Sequence, residues 1–153
     1  MASERKLEPA DYRHLLEVRT GLRRFLHWSE EQARSAGLTP SQHQLLLAVR
    51  GHPGDRPPTI GDLAGHLLLA HHGAVQLVDR AAAAGLVGRE RDRDDHRIVR
   101  VTLTPEGSRI LESLTTHHLD ELRRVGLSFG EIGAGIGPGQ VSQGGGRDLL
   151  HPR

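Results

Sequence analysis

Eleven histidines and no cysteine frame the chemistry open to this chain. Imidazoles can ligate metals, move protons, or contact phosphates and bases. The lack of cysteine removes disulfides, thiolate nucleophiles, Cys-based zinc sites and thiol redox sensing. His71 and His72 are adjacent, inside the stretch AHHGAVQLVDRAAAAGLV. Neighbouring residues of a helix point about 100° apart, so this pair cannot hold one ion from one face. No nucleophile or base lies near it in sequence. Two readings remain: contact with phosphates or base edges, or plain solvent exposure. His14 and the pair His117-His118 can meet between long helices, while His43, His52 and His66 look scattered. No H-x-x-x-H spacing with a nearby acid stands out, so no metal site, cofactor or enzymatic activity is expected. His118 reads as a satisfied core or interface residue.

The arginines offer a second kind of chemistry. Arg89, Arg91, Arg93, Arg97 and Arg100 alternate with Glu90, Asp92, Asp94 and Asp95. By composition alone, this is a solvated, self-paired loop. The formal net charge of +1 neither demands nor excludes nucleic acid, because a local patch matters more than the total. Hydrophobic residues make up 36% and charged residues 25%, as in a folded core. Aromatics are scarce, so that core must be built from Leu, Val, Ile and Ala. The N-terminus has no signal-like apolar stretch, and no run of about 18 apolar residues occurs. A cytoplasmic protein without a membrane partner is expected.

These side chains need elements to position them. Tyr12, Leu15, Leu16, Leu22, Phe25 and Leu26 follow helical spacing, which predicts a long first helix over 9–36. Thr39-Pro40-Ser41-Gln42 is a capping box with proline at the first helical position. It starts a helix that stops at Gly51. Thr59-Ile60-Gly61-Asp62 is a second capping signature and opens a short helix through Leu68. A tight turn near Leu69 and Ala70 leads into the histidine-bearing helix, whose apolar stripe is Ala74, Val78, Ala81 and Ala82. Gly85 suits a left-handed cap there, closed by Leu86. The period then changes to two. Residues 87–91 and 98–103 read as strands of a hairpin. Thr104-Pro105-Glu106 starts a last helix to about Gly126, with Ile110, Leu111, Leu114, His118, Leu119, Leu122 and Val125 on one face. Residues 126–153 hold nine glycines and no sustained period, which predicts a loose tail.

Two short helices joined by a tight turn make a helix-turn-helix, and the charged hairpin after them makes it winged. A helix about 10–12 Å across fits a major groove about 12 Å wide. The expected class is mainly α with a small β-hairpin wing. The expected division is a dimerisation helix in 1–37, a winged helix-turn-helix lobe in 38–104, a second dimerisation helix in 105–126, and a glycine-rich tail in 127–153. The long helices carry apolar faces that the small lobe cannot cover alone.

Three motifs then occur in order: Leu77-Val78-Asp79-Arg80 with Ala84-Gly85-Leu86-Val87 and Arg89; Asp92 to Arg97; and Val101-Thr102-Leu103-Thr104-Pro105-Glu106-Gly107. Together they resemble the MarR (multiple antibiotic resistance regulator) family over roughly residues 9–126. The resemblance implies a homodimeric winged helix-turn-helix regulator, of repressor type, that binds pseudo-palindromic double-stranded operators and is often released by a small molecule. It implies a recognition helix over about 70–84 whose His71, His72, Gly73, Gln76 and Arg80 face DNA. It implies a wing over 91–97 whose Arg93, His96 and Arg97 touch phosphates or the minor groove, with Asp95 shaping the wing through arginine. It also implies a ligand crevice near the first helix, with Tyr12, His14 and Trp28 as candidates; ordinary interface packing is the alternative for each.

Three features depart from the family pattern. Ala81 replaces a leucine and is expected to loosen packing behind the recognition helix. Ala70 stands where a capping serine is common, at a cost of about 1 kcal/mol. Glycines from 130 to 146 disfavour the sixth helix that relatives use in the dimer, since each costs about 1 kcal/mol in a helix. A winged-helix protein-interaction module without operator binding is the rival reading.

Overall fold

The computed structural model describes residues 5–126. Each helix start has a visible local cause. Glu8 and Asp11 cap α1 (Pro9–Ser35) reciprocally, and Pro9 takes the first turn, where no N–H partner exists to lose. Thr39 and Gln42 do the same for α2 (Pro40–Arg50), and Thr59 and Asp62 for α3 (Ile60–Leu67). Thr104 Oγ accepts from Gly107 N at 3.0 Å to start α5 (Pro105–Val125). Between them lie α4 (His71–Ala83) and an antiparallel pair, β1 (Val87–Arg91) and β2 (Val99–Leu103). The strands pair Val87 with Leu103 through Arg91 with Val99. The fold is mainly helical with one hairpin wing. The tail in 127–153, including any sixth helix, lies outside the described residues.

The α3–α4 turn is made by Leu68, with φ 54° and ψ 41°. It is a leucine in the left-handed region, 92% exposed. Glycine is the usual residue there, which is why the sequence placed the turn one residue later. At the far end of α4, Gly85 does take φ +73°. Leu86 N then reaches back to Ala81 O at 3.0 Å, and the Leu86 side chain is buried.

The core sits beneath α2. Leu45, Leu46, Leu63, Val78 and Val101 are fully buried there, and Leu111 and Leu114 close it from α5. Ala74, Leu77, Val78 and Ala81 are the buried residues of α4, so this helix shows its other side to solvent. Ala81 lies wholly inside the packing. By contrast, α1 buries only Ala33 among its residues. Tyr12 (63% exposed), Leu15, Leu16 and Leu26 stand outward. These outward residues of α1 therefore have no cover among the described residues. Among the described residues no helix is long and apolar enough to cross a membrane.

Candidate nucleic-acid interface

Burial of one α4 stripe decides what the helix presents. His71, His72, Gln76, Asp79 and Arg80 are exposed and Gly73 half-buried. Ala70 has cap-like backbone angles (ψ 153°) but no capping side chain. The first N–H groups of α4 thus have neither an intrahelical partner nor a side-chain one, at the positive end of the helix dipole. An anion fits such an end well. Asp79 pairs with Arg89 of β1, which ties the outward face of α4 to the wing. Two residues of the sequence motif are thereby accounted for by a structural ion pair.

The wing is organised around Asp92, which is only 4% exposed. Its carboxylate accepts from Arg100 Nε at 2.5 Å, Arg56 at 3.3 Å, and the backbone N–H groups of Asp94 and Asp95 at 3.0 and 3.1 Å. The Arg100 hydrogen bond, then these backbone donors, hold the Asp92 carboxyl well below the usual range, at about 2. Arg100 also donates to Pro57 O at 2.7 Å, Val101 N donates to Pro58 O at 2.9 Å, and Arg56 reaches Asp94 at 2.6 Å. The α2–α3 loop is thus locked to the wing. From sequence Asp92 and Arg100 were only two of the wing's alternating charges and Arg56 a loop residue, because Arg56 meets Asp92 across 36 residues of chain and Arg100 meets Pro57 across 43. A buried acid in a charged loop leaves no local periodic signal.

Asp95 has the smaller part. It accepts from the N–H of Arg97 at 3.1 Å and, through both oxygens, from the Arg97 guanidinium at 3.0 Å. The Asp95 carboxyl is lowered by those bonds. Arg97 stays 92% exposed while so held, and a rigid guanidinium fork remains on the surface. Arg93 and His96 are exposed at the wing tip. Arg91 donates to His96 O at 2.7 Å and braces the turn.

The three crevice candidates are not brought together. Tyr12 faces outward, and sixteen residues along one helix put it about 24 Å from Trp28. His14 is half-buried, and its Nε2 has no partner among the described residues. Trp28 instead packs its ring, tilted, against His118 at 4.8 Å and Phe25 at 5.9 Å. His118 donates from Nδ1 to Leu114 O at 2.7 Å, and its Nε2 lies 2.7 Å from the Ser29 hydroxyl. Buried His43 packs its ring 4.8 Å from His118. Burial, then the neighbouring His118, pushes His43 down to about 4. A histidine cluster thus joins α1, α2 and α5, and His43 is the member that looked scattered in sequence.

Residues 36–98 match the MarR family. An HTH-type transcriptional regulator of Bacillus subtilis, YsmB, is 41% identical over 71 residues, which are 46% of this chain and 49% of that protein. The match therefore spans about half the length of that curated relative. Among solved structures, AbsC, a MarR family transcriptional regulator from Streptomyces coelicolor, superposes with TM-score 0.68 at 23% identity, over 85% of this chain and 89% of AbsC. A mutant MarR from E. coli complexed with operator DNA gives 0.61 at 21%, over 76% and 84%. BpsR of Bordetella bronchiseptica, whose DNA binding is regulated by 6-hydroxynicotinic acid, gives 0.59 at 22%, over 78% and 84%. At these identities the superpositions establish the fold. The helix-turn-helix, its wing and the family match coincide: residues 36–98, which match the MarR family, fold as a winged helix-turn-helix.

Proposed function

We propose that the chain is a sequence-specific DNA-binding transcriptional regulator, acting as a homodimer and repressing from a pseudo-palindromic operator. The observation that carries this reading is the uncapped, exposed front of α4 beside a braced wing. His71, His72, Gly73 and Gln76 share that front with free N–H groups, and Arg80 is exposed further along, in the last turn of α4. Phosphates dock electrostatically, side chains at the front of α4 read base edges, and Arg93, His96 and Arg97 contact the backbone or minor groove alongside. Asp92, with Asp95, holds the wing in shape for that contact.

The outward face of α1, with Leu119 and Val125 of α5 also exposed, supports the dimer. Two recognition helices about 34–36 Å apart would then enter successive major grooves. Release by a small molecule rests on family likeness, and would act by shifting the population of lobe spacings. A cytoplasmic location belongs to the same reading.

The test is selection of bound genomic fragments with the purified chain, followed by titration at two salt concentrations. A shared inverted repeat, with affinity falling steeply as salt rises, is expected. Failure to enrich any fragment at low salt favours the protein-interaction module, whose case rests on the self-paired wing and the +1 net charge.

A further inference from the structure

His52 and His66 lie 14 residues apart in the chain, on the α2–α3 loop and the last turn of α3, yet His52 Nδ1 sits 2.9 Å from His66 Nε2. The rings cross at 75° with centroids 5.3 Å apart. The other nitrogen of His52, Nε2, lies 3.6 Å from Asp62 Oδ2. Asp62 is not free to wander, because the same oxygen accepts from Thr59 N at 2.9 Å in the α3 capping box. We propose that His52 Nδ1 and His66 Nε2 are the two protein ligands of a divalent transition-metal ion, with Asp62 orienting His52 from behind.

Four observations support this site. Two metal–nitrogen bonds of about 2.0–2.1 Å enclosing a right angle span about 2.9 Å, whereas a tetrahedral angle needs about 3.3 Å. The spacing therefore suits the square or octahedral geometry of Ni²⁺ or Cu²⁺, and a small ring rotation reaches that of Zn²⁺. A carboxylate on the far nitrogen of a ligating histidine fixes its tautomer and raises its basicity. His66 stands at the C-terminal turn of α3, where the helix dipole favours a cation. His66 is exposed and His52 partly so, which leaves an entry path and room for water ligands. Among the described residues no group of three or more protein donors gathers, so water must complete the shell. The bound ion would pin the α2–α3 loop to the end of α3, just ahead of the Leu68 turn. The site needs no DNA and stands apart from the proposed function.

The test is calorimetric titration of the tag-free full chain with Ni²⁺ and Zn²⁺, with thermal unfolding recorded in parallel. One saturable Ni²⁺ per chain, tighter than Zn²⁺, and a rise in Tm with metal are expected. His52→Gln and His66→Gln should each weaken binding at least tenfold and abolish the Tm rise. Asp62→Asn keeps an oxygen for Thr59 N and should weaken binding about tenfold. A His71→Ala/His72→Ala double variant should bind like the parent. The proposal is overturned by absence of a saturable site, by His52→Gln or His66→Gln binding within threefold of the parent, or by loss confined to the His71/His72 variant.

Discussion

Gly107→Ala tests how the wing is joined to α5. Gly107 is buried in the first turn of α5, where the chain passes directly over Leu86. A Cβ built there would lie 2.1 Å from Leu86 O, 3.0 Å from its carbonyl carbon and 3.3 Å from its Cα. All three are backbone atoms, so no side chain can swing aside. The same carbonyl accepts from Thr104 N at 3.1 Å, so moving it also breaks the α5 entry. Helix propensity favours alanine by about 1 kcal/mol. Reaching ordinary contact requires a separation of more than about 1 Å, and overpacking of that kind costs about 1–3 kcal/mol or more. The clash wins, and we expect a net loss of about 1–2 kcal/mol. Gly65→Ala is the matched control. Gly65 lies in α3 with nothing within 4 Å of an added Cβ, so it should gain up to about 1 kcal/mol. Urea unfolding midpoints at constant m-value measure both. The reasoning fails if Gly107→Ala unfolds at or above the parent's midpoint, or if the two variants shift alike.

Other predictions concern charge and turn geometry. The unfolded chain protonates His43 near 6.5 but the folded one only near 4, so stability should fall as pH drops from about 6.5 and level off below about 4. The full loss is on the order of 3 kcal/mol. His43→Gln should flatten that limb of a stability–pH profile; an unchanged slope would refute it. Asp92, held near 2, stabilises above about pH 4 and loses that contribution between about 4 and 2. Asp92→Asn should therefore shorten the acid limb and, by loosening the wing, weaken operator binding in a gel-shift titration, with α-helical content intact. Leu68→Gly places glycine in a left-handed, exposed position and should raise the urea midpoint by up to about 1 kcal/mol equivalent; a drop would contradict the turn geometry. Arg93→Ala and Arg97→Ala should each lower the slope of log affinity against log salt by about one, and His71→Ala/His72→Ala should weaken operator binding at fixed salt. Flat responses would remove those residues from the interface.

Much of the frame was legible because it is written in short spans. Thr39-Pro40-Ser41-Gln42 and Thr59-Ile60-Gly61-Asp62 announce helices through bonds made within four residues. Gly85 announces its cap through one backbone angle. The buried stripe of α4 follows from its spacing, and with it the outward direction of His71, His72 and Gln76. The Leu68 turn was displaced by one residue because a leucine there carries no turn signal.

What only the tertiary structure decided lies in contacts between distant segments. Asp92 looked like one acid among four, and its burial came from Arg100 and Arg56 converging with the loop that carries Pro57 and Pro58. Asp95, expected to shape the wing, holds Arg97 while Asp92 is the hub. His43, His52 and His66 looked scattered, and the fold paired each with another imidazole. Tyr12 and Trp28 shared a helix in sequence, and its length keeps them apart. The motif glycine Gly107 is required because Leu86 crosses it. By itself, the sequence determined the order of elements and the face each shows, since caps and periods act over a few residues. Which side chains meet depends on chain crossings tens of residues apart, and no local pattern encodes them.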